Sequence, residues 1–159
     1  MKLDKRRRME FKTNYSKRLK LLKGNLPRLV IRKTNKYITL QIIESKDAQD
    51  RVIYSSSTKE LLKNGWPKEK QGSLKSISAS YLAGLLLGKK SNKLKGRVIV
   101  DTGLIPSTTG SRIYAAIKGA ADSGMEINYD KKIMPSIERI EGKAQKLDVI
   151  FNKVKGAIK

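Results

Sequence analysis

Apolar residues come in short β-branched stretches in the first half of the chain and change to helical spacing in the second. Arg28-Leu-Val-Ile-Arg-Lys and Tyr37-Ile-Thr-Leu-Gln-Ile-Ile-Glu read as strands joined by Thr34-Asn35-Lys36. Val52-Ile-Tyr follows after a polar turn at Lys46 to Asp50. Strands so closely linked predict an antiparallel meander. Ser57 and Glu60 have capping-box spacing, Leu61 and Leu62 follow, and Asn64-Gly65 stops what is expected to be a short helix. Leu74, Ile77, Tyr81 and Leu85 stand at helical spacing and predict a longer helix from Leu74 to Gly88.

Arg97-Val-Ile-Val-Asp101 reads as a continuous apolar strand, and the loop from Thr102 to Gly110 after it is rich in Gly, Ser and Thr. Ile113, Ala116, Ile117, Ala120 and Ala121 trace one face of the next helix, which Asp122-Ser-Gly124 ends; the small residues there suggest close packing on a sheet. A short strand is expected over Met125 to Tyr129, then a turn containing Pro135. Ala144, Leu147, Phe151, Val154 and Ile158 predict an amphipathic tail helix. Ahead of the body, Lys5 to Lys23 has few apolar residues, mainly Met9, Phe11, Leu19, Leu21 and Leu22, and reads as an extended arm ending in a short helix that Gly24-Asn25 terminates. The fold class is therefore mixed α/β: a small mixed sheet begun by the meander, helices packed on it, a basic N-terminal arm and a C-terminal amphipathic helix. The divisions expected are an arm over 1–25, an α/β core over 26–131, and a turn and helix over 132–159.

Charge changes the picture more than length does. The chain of 159 residues carries a formal net charge of +22. Residues 1 to 36 alone hold 14 Lys/Arg against 2 Asp/Glu. Such a charge repels itself unless an anionic partner lies against it, and nucleic acid fits that requirement. With no Cys and no His, disulfides, thiolate or imidazole metal sites and Ser-His or Cys-His pairs are excluded. Basic residues at the start with no apolar stretch after them predict no secretory leader. The longest greasy run, Tyr81 to Gly88, is far short of the roughly 20 residues that span a bilayer. A soluble, cytoplasmic protein without a membrane partner is expected.

Asp101-Thr102-Gly103 after Val-Ile-Val copies the local signature of aspartic proteases, but a helix follows closely and Leu104 replaces the usual small residue. The same loop, Gly103 to Gly110 followed by Ser111-Arg112, lies between a strand and a helix, as a phosphate cradle does. It lacks the Walker spacing and reads either as a helix N-terminus set against an RNA phosphate or as an ordinary turn. The arm is more specific. Lys5, Arg6, Arg7, Arg8, Lys12, Lys17, Arg18, Lys20 and Lys23 interleave with Phe11 and Tyr15, joining positive charge to rings able to stack on bases. The excess continues into Arg28, Arg32, Lys33 and Lys36 on the first hairpin. Trp66 reads equally as a base-stacking ring or as a plug in a loop. The alternative to RNA binding alone is an RNA-processing enzyme on a ribonuclease-like α/β fold, which needs clustered carboxylates to hold metal ions; Asp101 is the only acid at the end of an apolar strand.

Several separated segments together resemble one family. Arg7-Arg8, Lys12-Thr13-Asn14-Tyr15, Lys17-Arg18-Leu19-Lys20-Leu21-Leu22, Pro27 to Lys36, Ala83 to Lys90, Val100-Asp101-Thr102-Gly103-Leu104 and Thr109 to Ala120 are similar, in order, to the ribosomal protein L-eighteen family, in its archaeal and eukaryotic form. The resemblance implies a structural constituent of the large ribosomal subunit that binds 5S ribosomal RNA and helps attach it in the central protuberance. The partners it implies are 5S RNA, large-subunit RNA and neighbouring proteins, including a second 5S-binding protein. No catalysis, cofactor or metal is implied. Carried over by position, the RNA-facing residues are Arg6, Arg7, Arg8, Lys12, Tyr15, Lys17, Arg18, Arg28, Arg32, Lys33, Asn35, Lys36, Ser111, Arg112 and Lys118. Lys5 and Lys20 join them from the arm's own charge.

Overall fold

The meander forms because Leu29 and Ile31 on one strand and Ile38, Leu40 and Ile42 on the next alternate onto one face, where all five are buried. In the computed structural model, which describes residues 4–47, 49–94 and 96–158, these strands are β1 (Arg28–Lys33), β2 (Ile38–Lys46) and β3 (Gln49–Ser57). Met1 to Leu3 of the arm and Lys159 of the tail lie outside the described residues. β1 and β2 run antiparallel with Leu29 opposite Ile42 and Ile31 opposite Leu40. β2 and β3 are likewise antiparallel, with a register shift between Ile42 and Ile43. β4 (Ile99–Asp101) adds parallel to β1, pairing Arg28 with Ile99 and Val30 with Asp101. The sheet order is β3-β2-β1-β4, a mixed sheet.

The crossover to β4 passes through α3 (Ile77–Lys90), the central helix. Ala83 and Leu87 face the sheet cluster, while Ala79, Tyr81 and Leu82 belong to a second apolar cluster with Leu61, Trp66, Leu74 and the tail. A helix flanked on both sides by core is apolar nearly all round, as its sequence is. Helix α4 (Arg112–Asp122) packs on α3 at unusually close range. A Cβ at Gly84 would lie 2.2 Å from the Ala116 carbonyl oxygen, and one at Gly119 would lie 2.1 Å from that of Tyr81. The small residues of α4 therefore serve a helix-helix crossing in addition to the sheet cluster expected from the sequence. Across the same pair the Tyr81 hydroxyl donates to Asp122 Oδ2 at 2.8 Å. Burial first, and then this carboxylate, push the Tyr81 pKa up, keeping the phenol protonated.

Other elements differ from the sequence expectation for local reasons. Leu74 closes a 3-10 stretch, Lys68–Lys75, and α3 starts only at Ile77, because the Ser76 hydroxyl caps it by accepting from the Ala79 N–H at 3.2 Å. Ser57 accepts from Lys59 N at 3.3 Å, but Glu60 reaches Lys90 Nζ at 2.5 Å and not back to the cap, so Thr58–Leu62 is a 3-10 turn without a capping box. The strand expected over Met125 to Tyr129 is reduced to one parallel bridge, Val98 to Ile127. Its side chains still alternate inward and outward, but β4 is too short to extend a ladder beside it. Helix α5 (Ile137–Glu141) is a turn of helix that the sequence reading missed. The tail helix α6 (Asp148–Ile158) begins after Ala144, which stays exposed, because Lys146 takes a left-handed conformation, φ 51°. Leu147, Phe151, Val154 and Ile158 are buried as their spacing predicts, with the Phe151 ring 5.8 Å from that of Tyr81. Trp66 is a plug: it is buried, and its indole N–H donates to the Lys70 carbonyl at 3.2 Å.

The arm is two helices, α1 (Arg6–Met9) and α2 (Tyr15–Lys23), neither of which buries a residue. Asn14 caps α2 by accepting from Lys17 N at 3.0 Å, and Gly24-Asn25 ends it, Asn25 at φ 45°. Beside β4, a Cβ on Gly24 would lie 3.0 Å from Ile99 Cδ1.

Candidate nucleic-acid interface

Parallel pairing of β4 with β1 carries Asp101 to the side of Arg28 and Arg32, and an ionic network grows from that placement. Arg28 Nη1 and Arg32 Nη2 each donate to Asp101 Oδ2 at 3.3 Å, while Asp101 Oδ1 accepts from Gly103 N at 2.8 Å. Arg32 Nη1 also donates to the Asp101 carbonyl at 2.9 Å. Gly103, at φ 63°, would put a Cβ 3.2 Å from the Arg32 guanidinium, so the turn needs glycine for both conformation and space. The carboxylate resembling a protease aspartate is thus committed to two arginines and a turn, a scaffold for the loop.

From Arg28 the network crosses the sheet to the arm. Arg28 Nη2 donates to Asp50 Oδ1 at 2.7 Å and to Ser45 Oγ at 2.8 Å, and Asp50 Oδ2 accepts from Arg18 Nη2 at 3.0 Å. Partial burial opposes ionisation of Asp50, but the Ser45 hydroxyl, Arg18 and Arg28 together hold its carboxyl below the usual range. Lys17 Nζ donates to the Gly103 carbonyl at 3.0 Å. These contacts lay α2 across the end of the sheet.

An open cleft of ≈ 510 Å³ results, between the arm, the end of β1 and the loop after β4. Arg7, Lys12, Lys17, Arg18, Arg32 and Lys33 line it, and Asp101 is the one acid among its lining residues. Apart from the half-buried Arg18, these cations are exposed. Lys12, and Arg6 and Arg8 elsewhere on the arm, are held in weak exposed pairs: Arg6 and Lys12 each lie 2.8 Å from Glu10, and Arg8 lies 3.3 Å from Asp4. Lys12 and then Arg6 keep the Glu10 carboxyl below its ordinary range. Exposed pairs of this kind are screened by solvent and contribute little, so a stronger anion can displace their carboxylates. Lys5 sits over the Tyr15 ring, 4.6 Å from its centroid. Lys20, and Asn35 and Lys36 at the hairpin tip, are exposed. Thr34 shapes that tip, its hydroxyl accepting from Tyr37 N at 2.9 Å.

Two expected RNA contacts are placed otherwise. Arg28 is only 2% exposed and spends its guanidinium on Asp50, Ser45 and Asp101, so it is an internal tie and not a surface cation. The Ser111 hydroxyl oxygen, at the start of α4, is buried and without a partner among the described residues. Arg112 lies in a different groove, beside Lys70 and Lys75, and Lys118 is half-buried farther along α4. Lys70 and Lys75 are neighbours of Arg112 that sequence reasoning missed. Their positive charge was visible, but their placement depends on how the Lys68–Lys75 turn folds back. Asp50 was missed as the arm's tether for the same reason.

A mixed α/β scaffold with an exposed basic arm laid across one end of its sheet defines a protein built to lie against a polyanion. The chain matches, over residues 1–96 and 90–130, the family described as ribosomal large subunit proteins 60S L5 and 50S L18, and it belongs to that family. It is 46% identical over 138 residues to the large ribosomal subunit protein uL18 of Korarchaeum cryptofilum, covering 86% of this chain and 69% of that protein. The uL18 proteins of Methanoregula boonei and Methanoculleus marisnigri are each 39% identical, over 86% of this chain and 77% of theirs. The chain is thus a structural protein of the large ribosomal subunit, located in the cytoplasmic ribosome.

Proposed function

We propose that this chain binds 5S ribosomal RNA and helps attach it in the central protuberance, touching large-subunit RNA and neighbouring proteins, among them a second 5S-binding protein. The observation that carries this reading is the basic cleft: the arm is tied to the loop after β4 by Lys17, so cations far apart in sequence share one surface. In it Arg7, Lys12, Lys17, Arg32 and Lys33 meet phosphates, with Lys5, Arg6, Arg8, Tyr15, Arg18 and Lys20 flanking them on the arm and Asn35 and Lys36 on the hairpin. Arg112 and Lys118 form a second contact on α4. Lysine supplies much of this charge, which suits positioning on phosphates more than bidentate reading of bases.

The test is binding to labelled 5S RNA with Mg²⁺ over a salt series. With about 6–10 phosphate contacts, affinity falls by about 10³ or more between 50 and 200 mM salt. Deleting residues 1 to 23 leaves a cooperative thermal transition and removes most of the affinity. A flat salt response, or cleavage of the RNA in place of an intact shifted complex, overturns the reading.

A further inference from the structure

The arm holds one aromatic ring in the open at a conformational cost. Phe11 is 86% exposed, the most exposed large hydrophobic side chain among the described residues, and its backbone is left-handed, φ 50°. Asn25, Asp47 and Lys146 share this conformation; the short polar side chains of the first two adopt it readily, and a bulky aromatic residue does so at a cost. The left-handed turn closes α1, the Phe11 N–H donating to the Arg8 carbonyl at 3.0 Å and the Lys12 N–H to the Arg7 carbonyl at 2.9 Å, and it leaves the ring in the open. The surroundings say what meets it. Phe11 shares an open cleft with Asp4, Arg8, Met9, Tyr15 and Leu104, Arg8 being loosely paired with Asp4, and Lys12 follows it directly, so an apolar platform is set between cations of the arm. The other ring of the arm is half-buried and already carries a cation: Lys5 covers a face of Tyr15.

We propose that Phe11 is a stacking platform for a single unpaired base of the 5S RNA, the cations on either side holding the backbone of the same nucleotide stretch. The inference rests on the arm binding 5S RNA as proposed above. Stacking releases no counterion, which separates it from phosphate contact: losing the ring lowers affinity without changing its salt dependence.

The experiment measures 5S RNA binding over a salt series for the wild type, Phe11→Leu, Phe11→Gly, Phe11→Trp and, as an electrostatic control, Arg7→Ala. Phe11→Gly relieves the left-handed strain, and Phe11→Leu keeps apolar area without a π face. Both are expected to bind at least about fivefold more weakly, with the wild-type slope of log affinity against log salt. Phe11→Trp is expected to retain affinity, its added indole emission being quenched by the RNA. Arg7→Ala weakens binding and flattens the slope. If Phe11→Gly binds as tightly as wild type while Arg7→Ala weakens, the stacking role is overturned and the RNA-binding reading stands. If the wild type itself fails to bind 5S RNA, both fall.

Discussion

Helices α2 and α6 are terminal elements of similar length, nine and eleven residues, held to the same body in opposite ways. α6 buries Phe151, Val154 and Ile158 against α3, and with Leu147 before it forms a third of the second apolar cluster. α2 buries no residue fully, with Leu21 and Leu22 only half-buried, and is held by polar ties, Lys17 to the Gly103 carbonyl and Arg18 to Asp50. Apolar burial makes an element part of the cooperative fold. A few exposed ion pairs leave it near the low end of local stability, free to adjust to a partner whose charge exceeds that of its tethers. The difference separates the part of this protein that must be rigid from the part proposed to meet RNA.

The largest break is on the rigid side. Phe151→Ala is expected to lower global stability by about 3–5 kcal/mol, read by urea denaturation, because it empties a site between α6 and Tyr81. Its RNA affinity should stay at the wild-type value where the variant remains folded. A small loss would mean that α6 is as loosely held as α2.

Arg28→Ala comes next, at about 3 kcal/mol, since it leaves Asp50 and the buried Asp101 without the cation between them. It should also loosen α2, which is tied to the same Asp50, and amide exchange over residues 15–23 would register that. An affinity loss with unchanged stability would return Arg28 to the RNA surface.

Arg112→Ala is expected to weaken 5S RNA binding by about 1–3 kcal/mol, the scale of one charge-assisted contact, without altering α2. Wild-type binding would confine the interface to the arm, the hairpin and the loop after β4.

The smallest effect is at the tether itself. Arg18→Ala should change stability by only about 0.2–1 kcal/mol. The Asp50 carboxyl is held below its ordinary range, so its contribution is complete above that range and is lost as pH falls through the depressed pKa. Amide shifts of α2 followed from about pH 6 to about pH 2 should report its release, and less steeply in Arg18→Ala.

The sequence by itself determined what depends on neighbours along the chain. Alternation at Leu29, Ile31, Ile38, Leu40 and Ile42, and the three-and-four spacing from Leu147 to Ile158, say which side of each element is apolar, and both were buried as read. The arm's charge was legible because it is concentrated in consecutive residues. Only the tertiary structure separated Arg28 from Arg32. Four residues apart on one strand, they look alike in sequence, yet Arg28 is enclosed by Asp50 and Asp101, 22 and 73 positions away, while Arg32 stays exposed over the Gly103 turn. Small residues on α4 announced close packing on the sheet, and only the structure added their crossing with α3; the backbone of Phe11 took a conformation its residue type disfavours. A local pattern encodes the face an element must bury. Which distant group comes to cover a charge depends on β4 lying beside β1 and on α3 lying between two clusters, contacts that exist only once the chain has closed on itself.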